Sequence, residues 1–219
     1  MRHYILTLLV LASITAFGQR ALRYQELNFA IGSMNYNGEI STSSDPSTLL
    51  REMRVYAGID YNYYLSSKFG LGATVGYGRV TADDLNHDSP ERGLSFNSDL
   101  VQIDGQMIYH FRRFGRQFIT TRSTIYLKGA AGVTWIHTNY PDDIVFPSNT
   151  TIYPGTNSSF NLGAGAGVKW RVTRYSTFSV ELMGHFLYSD LMEGFKIGNE
   201  ESSADAYGGI RIGYSILFL

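Results

Sequence analysis

Between Leu27 and Phe218 the sequence alternates apolar with small or polar residues at period two, in long runs, and it does so eight times. The clearest run is Phe160 to Arg171. There Phe160, Leu162, Ala164, Ala166, Val168 and Trp170 form one set, and Asn161, Gly163, Gly165, Gly167, Lys169 and Arg171 the other. A helix, with 3.6 residues per turn, would mix these sets, whereas a strand sends them to opposite faces. The same pattern runs through Met53–Tyr63, Phe69–Tyr77, Val101–Phe111, Ile125–Trp135, Phe178–Tyr188 and Ile210–Phe218, with a weaker first strand from Leu27 to Asn35.

Alternation alone does not separate a soluble sandwich from a barrel, because both have one apolar and one polar face. Strand length does. Strands in globular proteins are mostly about five or six residues long, while a strand tilted across a bilayer needs about 9–11. Connections also alternate in length. Short turns fall at Leu65–Lys68 and Thr173–Ser176, with a medium one from Arg112 to Ser123. Longer loops fall near Asn37–Leu50, Thr81–Leu94, His137–Ser159 and Asp190–Ala204. Aromatic residues gather at strand ends, with Tyr61, Tyr63, Phe69, Tyr109, Phe111, Trp170, Phe178 and Phe218 at one level and Tyr77, Trp135, Phe160 and Tyr188 at the other. The expected fold is all-β, an eight-stranded antiparallel up-and-down transmembrane β-barrel in the bacterial outer membrane, with the lipid bilayer as its solvent. A secreted lipocalin-like barrel is the alternative.

The start of the chain fits that address. Arg2 and His3 precede an apolar run from Tyr4 to Phe17, and Ala16-Phe17-Gly18 offers small residues at both ends of a cleavage site. Residues 1–18 therefore read as a secretory signal peptide cleaved after Gly18, and residues 19–219 as the barrel. The run is too short to span a bilayer as a helix, which takes about 20 residues. At the other end, Arg211-Ile212-Gly213-Tyr214-Ser215-Ile216-Leu217-Phe218 is similar to the C-terminal signal of outer-membrane barrels, with Leu219 one residue beyond.

Composition excludes several functions. The 219 residues carry 18 Lys and Arg against 19 Asp and Glu, without the basic excess that nucleic acid binding requires. With no cysteine, thiolate metal sites, thiol catalysis and disulfides are ruled out. An eight-stranded barrel has a lumen just wide enough to be filled by its own side chains, so a conducting pore is not expected; no cofactor and no small-molecule substrate is assigned. The inward set includes Arg54, Asp60, Asp104, Lys128, Lys169, Glu181, His185 and Arg211. These are expected to form a structural charge network, since an unpaired charge in such an interior is costly. By position along their strands, Asp60, Lys128, Lys169 and Glu181 fall in one layer, and Arg54, Asp104, His185 and Arg211 in a higher one.

No catalytic residue and no metal ligand is assigned. His185 with Ser189 and Asp190, or His137 with a loop acid, could make a Ser/His/carboxylate set, but neither has a local signature. Asp83-Asp84-Leu85-Asn86-His87-Asp88 lacks the Gly and terminal Glu of an EF-hand loop. The charge is nevertheless unevenly placed. The long loops hold most of the acids, and the other end is basic, with no acid from Arg112 to Ser123. Arg112, Arg113, Phe114, Arg116, Phe118 and Arg122 in that turn are the candidate surface for a periplasmic protein partner.

Four stretches resemble a small outer-membrane barrel family of Bacteroidetes that includes the PorG-like component of the type IX secretion system. They are Gly32–Glu39, Gly78–Asp84, Arg92–Asp99 and Tyr188–Gly194, in order along nearly the whole mature chain. The resemblance implies a membrane-embedded accessory subunit that links the outer membrane to periplasmic secretion-ring proteins, with no catalytic residues to carry over. A stand-alone structural barrel of the OmpX type is the second expectation, and a lipid-modifying enzyme a distant third.

Overall fold

A computed structural model describes residues 23–37, 46–84, 94–140, 150–153, 155–189, 192, 194–197 and 205–219. The expected signal peptide, and most of the acids expected on the long loops, lie outside the described residues. Eight strands build the molecule: β1 (Tyr24–Asn37), β2 (Arg54–Tyr64), β3 (Phe69–Asp83), β4 (Ser95–His110), β5 (Ser123–Asn139), β7 (Thr156–Arg171), β8 (Ser176–Leu187) and β10 (Ala206–Phe218). A short helix, α1 (Pro46–Arg51), precedes β2. Two three-residue strands, β6 (Thr150–Ile152) and β9 (Phe195–Ile197), pair with each other between the long loops.

The eight strands are antiparallel to their neighbours and close in the order β1-β10-β8-β7-β5-β4-β3-β2. The barrel is sealed where the first and last strands meet. Gln25 pairs with Phe218, Leu27 with Ile216 and Ile31 with Ile212 along that seam. Closure leaves no unpaired strand edge, and only closed barrels and helices can satisfy every backbone group within hydrocarbon. The barrel strands run from 11 to 17 residues. β1 starts three residues earlier than the weaker apolar pattern suggested, because Tyr24, Glu26 and Asn28 continue the inward set with polar and aromatic side chains.

Alternation sorts the two faces as the period requires. Outside, Ile31, Val55, Ile59, Leu71, Val75, Ile103, Leu127, Leu182 and Ile212 stand exposed, Val55 by 73%. On a water-soluble protein such a continuous apolar surface would be a liability. Aromatic pairs mark both ends of this band: Tyr61 with Phe218, Tyr109 with Phe111 and Trp170 with Phe178 near the short turns, and Phe160 with Tyr188 near the long loops. Inside, glycines make room for large rings. A Cβ on Gly76 would lie 2.7 Å from the Tyr56 hydroxyl, one on Gly70 2.8 Å from the Tyr64 ring, and Gly58 also faces Tyr56. Small residues on the inward set are thus the space into which tyrosines from neighbouring strands fold.

Candidate functional site

Among the described residues, side chains fill the lumen, and the filling changes along the axis. At the end carrying the short turns, Tyr24 stacks on Tyr64 with ring centroids 4.3 Å apart, and Tyr64 in turn stacks on His110. Beside them Lys169 Nζ donates to both carboxylate oxygens of Glu26 at 2.7 Å. Glu26 is the residue that sequence reasoning missed. Reading β1 from Leu27 stopped one residue short of it.

One step higher, Lys128 Nζ lies 2.8 Å from Glu181 Oε2 and 3.7 Å from Asp60 Oδ2. Each acid has further donors, so the charges are embedded in hydrogen bonds rather than merely opposed. Asp60 accepts from Asn28 at 2.7 Å and from Thr74 at 2.6 Å, and Glu181 accepts from the Tyr126 hydroxyl at 2.9 Å. Arg211 stands beside Glu181 at 3.9 Å and lays its guanidinium 3.9 Å from the centroid of Tyr56. Multiple donors of this kind are what let a buried charge group offset its lost hydration.

Above this, a chain of hydrogen bonds replaces the ion pairs. Arg211 Nη2 donates to His185 Nε2 at 3.3 Å, leaving Nδ1 as the donor to Asn161 Oδ1 at 3.2 Å. The amide nitrogen of Asn161 then donates to Asp104 at 2.9 Å, and Gln102 donates to the other oxygen of that carboxylate at 2.8 Å. His185 also stacks on Tyr207, centroids 4.9 Å apart.

The expected interior set is therefore assembled with three changes. Lys169 belongs to the lower Glu26 pair, not to the Asp60 layer. Arg211 keeps its expected neighbour His185 but pairs in register with Glu181, so it joins the middle layer to the one above. Arg54 lies outside the network: at the long-loop end of β2 its Nη1 donates to the carbonyls of Arg51 and Met53, and it is only half-buried. Replacing Arg54 by Glu26 reverses the expected balance, giving Lys128, Lys169 and Arg211 against Glu26, Asp60, Asp104 and Glu181. Asp104 is the acid held by amides instead of a cation.

Toward the long loops the filling becomes apolar. Met34, Tyr36, Val80, Leu94, Phe96, Leu100, Ile136 and Leu187 pack with Met192 and Phe195 in one buried cluster. Met192, from the loop after β8, is fastened there: its carbonyl accepts from Ser98 and Thr138, and its amide donates to Asp205. With both nitrogens of His185 engaged on Asn161 and Arg211, the residue is not turned toward Ser189, while Asp190 lies outside the described residues. His137 is exposed, its Nδ1 3.4 Å from Thr156 Oγ1. Among the described residues, no three His, Asp or Glu side chains converge as metal ligands.

The arginine-rich turn folds back across the short-turn end and closes it. Phe114 is fully buried there, its ring edge-on to His110 and its amide bonded to Ser67 O at 3.0 Å. It is part of the plug and not, as its neighbours suggested, part of an outer surface. Gly115 turns the chain with φ 130°, and a Cβ at that position would collide with the Tyr24 ring. Arg112, Arg113 and Arg122 remain exposed. Arg116 is half-buried over the Tyr175 ring, 4.8 Å from its centroid, and Phe118 is half-buried. The turn thus offers a cationic face whose apolar anchor points inward.

Residues 2–214 match the model of a family described as a domain of unknown function, DUF6089. The chain belongs to that family. A comparison with curated proteins yields no match. Among solved structures, a major outer membrane protein from Thermus thermophilus is similar with a TM-score of 0.50, at 13% identity over 89% of this chain and 99% of that one. Neisserial surface protein A gives 0.49 at 14% identity, covering 89% and 96%. OprG from Pseudomonas aeruginosa gives 0.44 at 10% identity, covering 92% and 98%. The Thermus likeness agrees with the topology: this DUF6089 chain has the fold of a small outer-membrane β-barrel.

Proposed function

We propose that the barrel is embedded in a bacterial outer membrane, short turns toward the periplasm, and serves as an anchor that docks a periplasmic protein through the turn from Arg112 to Arg122. Exposed apolar side chains between two aromatic levels suit the bilayer, and a lumen filled by side chains leaves transport of solutes without a path. The observation that carries the docking role is that Arg112, Arg113 and Arg122 are exposed together on a turn without acidic residues, held rigid because Phe114 is fastened inside the barrel. A rigid cationic face of this kind suits an acidic protein surface, where charge complementarity steers encounter. The family resemblance in the sequence suggests the secretion-ring proteins of type IX secretion as that partner. No catalytic role is assigned in this reading.

Gentle detergent extraction followed by co-purification tests the proposal. Secretion-ring proteins are expected with the parent protein and lost when Arg112, Arg113, Arg116 and Arg122 are changed to Glu. The inward burial of Phe114 favours the second reading, a stand-alone structural barrel, because it withdraws one of the turn's large apolar side chains from any partner, leaving Phe118 half-buried and Ile119 exposed. A monomer that brings down nothing under these conditions would establish that second reading and remove the first.

A further inference from the structure

The floor of the barrel contains donors that the plug itself does not use. Arg171, the last residue of β7, spends Nε on Thr121 O at 3.3 Å and Nη2 on Gly115 O at 2.6 Å and Phe118 O at 3.3 Å. Nη1 is buried and has no partner among the described residues. No carboxylate among them forms an ion pair with this guanidinium. Glu26, the acid of the floor, is committed through both oxygens to Lys169.

Two hydroxyls share this situation. Tyr24 is 2% exposed and its Oη is unpartnered. Its ring presses on Gly115, the residue whose carbonyl Arg171 holds, so the phenol and the guanidinium flank one point of the turn. Thr177 is fully buried, pairs in register with Arg171 across β7 and β8, and leaves Oγ1 unpartnered. Buried polar groups are almost always satisfied, so an unused guanidinium nitrogen with two unused hydroxyls at the same end of the barrel calls for an occupant. Every one of them can donate, and with the Glu26 carboxylate near Tyr24 already neutralised by Lys169, the charge left over at the floor is that of Arg171.

We propose that this floor binds one small oxyanion, a carboxylate or a phosphate group, with Arg171 Nη1 supplying the charge and Tyr24 Oη and Thr177 Oγ1 the flanking hydrogen bonds. Since a single guanidinium nitrogen is free, the anion is held end-on by one oxygen and completed by the hydroxyls, unlike the two-pronged arginine pairing usual for carboxylates. The site lies beneath the docking turn but does not depend on a partner for its existence.

The experiment uses the full chain refolded in detergent micelles with no other protein present. Inorganic phosphate and, separately, a short peptide with a free C-terminal carboxylate are titrated in by calorimetry, with the amide-capped peptide as control. Saturable one-to-one binding of either anion is expected. Arg171→Gln should abolish it, Tyr24→Phe should weaken it about tenfold, and Arg174→Gln, at an exposed arginine of the same end, should leave it unchanged. Tighter phosphate binding would identify a free or lipid-borne phosphate as the natural ligand. Tighter peptide binding, lost on capping, would identify a protein carboxylate. Absence of saturable binding for both probes, or binding equal in parent, Tyr24→Phe and Arg171→Gln, would overturn the proposal and mean water or an adventitious ion only. Tyr24→Phe keeps the stack on Tyr64 and the Arg171 bonds to the turn, so it decides the matter even if Arg171→Gln fails to fold. Because neither probe requires the partner, a negative result here leaves the docking reading untouched, and the converse also holds.

Discussion

Near its short turns the lumen is filled by ion pairs and stacked rings, with Lys169 on Glu26 and Lys128 between Glu181 and Asp60; near its long loops the same strands enclose an apolar cluster of Met34, Phe96, Leu100 and Ile136, where the buried acids Glu52, Asp84 and Asp205 accept hydrogen bonds from backbone amides. Both halves are closed, yet their stabilities have different origins. In the charged half, each cation is worth keeping mainly because its acids are already buried, so removing one partner is far worse than removing the pair. In the apolar half, the contribution of a side chain follows the volume it fills. Interior space was allotted by the glycines in both, and both draw partners from distant parts of the chain, as Lys169 on Glu26 and Tyr36 on Asp205 show.

The sharpest way to break this contrast is Lys128→Met, which strands Asp60 and Glu181 together. A loss of about 4 kcal/mol is expected in urea unfolding followed in micelles or lipid vesicles. Phe96→Ala, in the apolar half, should cost about 3 kcal/mol, through a cavity and without any change in the ionic strength dependence of stability. Replacing Lys169 and Glu26 together, by Met and Leu, should shift stability by no more than about 2 kcal/mol, and less than Lys169→Met alone. If the double change costs more than the single one, the lower pair does more than neutralise itself. Arg79 and Asp99 meet at 2.9 Å on the outer wall, beyond the Tyr77 level, with Arg79 half-exposed. Arg79→Ala should cost only about 0.5 kcal/mol, showing what water does to the same chemistry. At the small end, Phe96→Ala should leave planar-bilayer conductance at the closed baseline of the parent, because the charged half still closes the lumen. A sustained large open state in either protein would show that the two plugs are not independent.

Much of this was legible in period-two alternation. That pattern assigns a face to each residue of a strand, so the outward positions of Ile31, Val55 and Ile212 and the inward positions of Asp60, Lys128 and Glu181 follow from it directly. It carries no information about height. Placing Lys169 with Asp60 rested on counting from strand ends, and the stagger between strands in a tilted barrel moved it down to Glu26 instead. It also fails where strands stop. Phe114 lies in a turn with no period, among four arginines, and composition marks it as surface, while the chain reversal at Gly115 points it into the lumen. Arg171 was legible as inward from the alternation of β7, but its spare nitrogen depends on which carbonyls the turn presents, which no strand pattern records.

The seam between β1 and β10 has a consequence in time. Tyr24–Asn37 and Ala206–Phe218 are the most widely separated strands in sequence, and their pairing completes the ring. Contacts of such high sequence separation form slowly, since most of the chain must be ordered before they bring any gain. Until β10 arrives, β1 and β8 both present bare edges that can pair with another copy. A polypeptide interrupted anywhere before Ala206 is thus not a shorter barrel but an open sheet with two adhesive sides, and its fate is decided by how quickly it meets a neighbour.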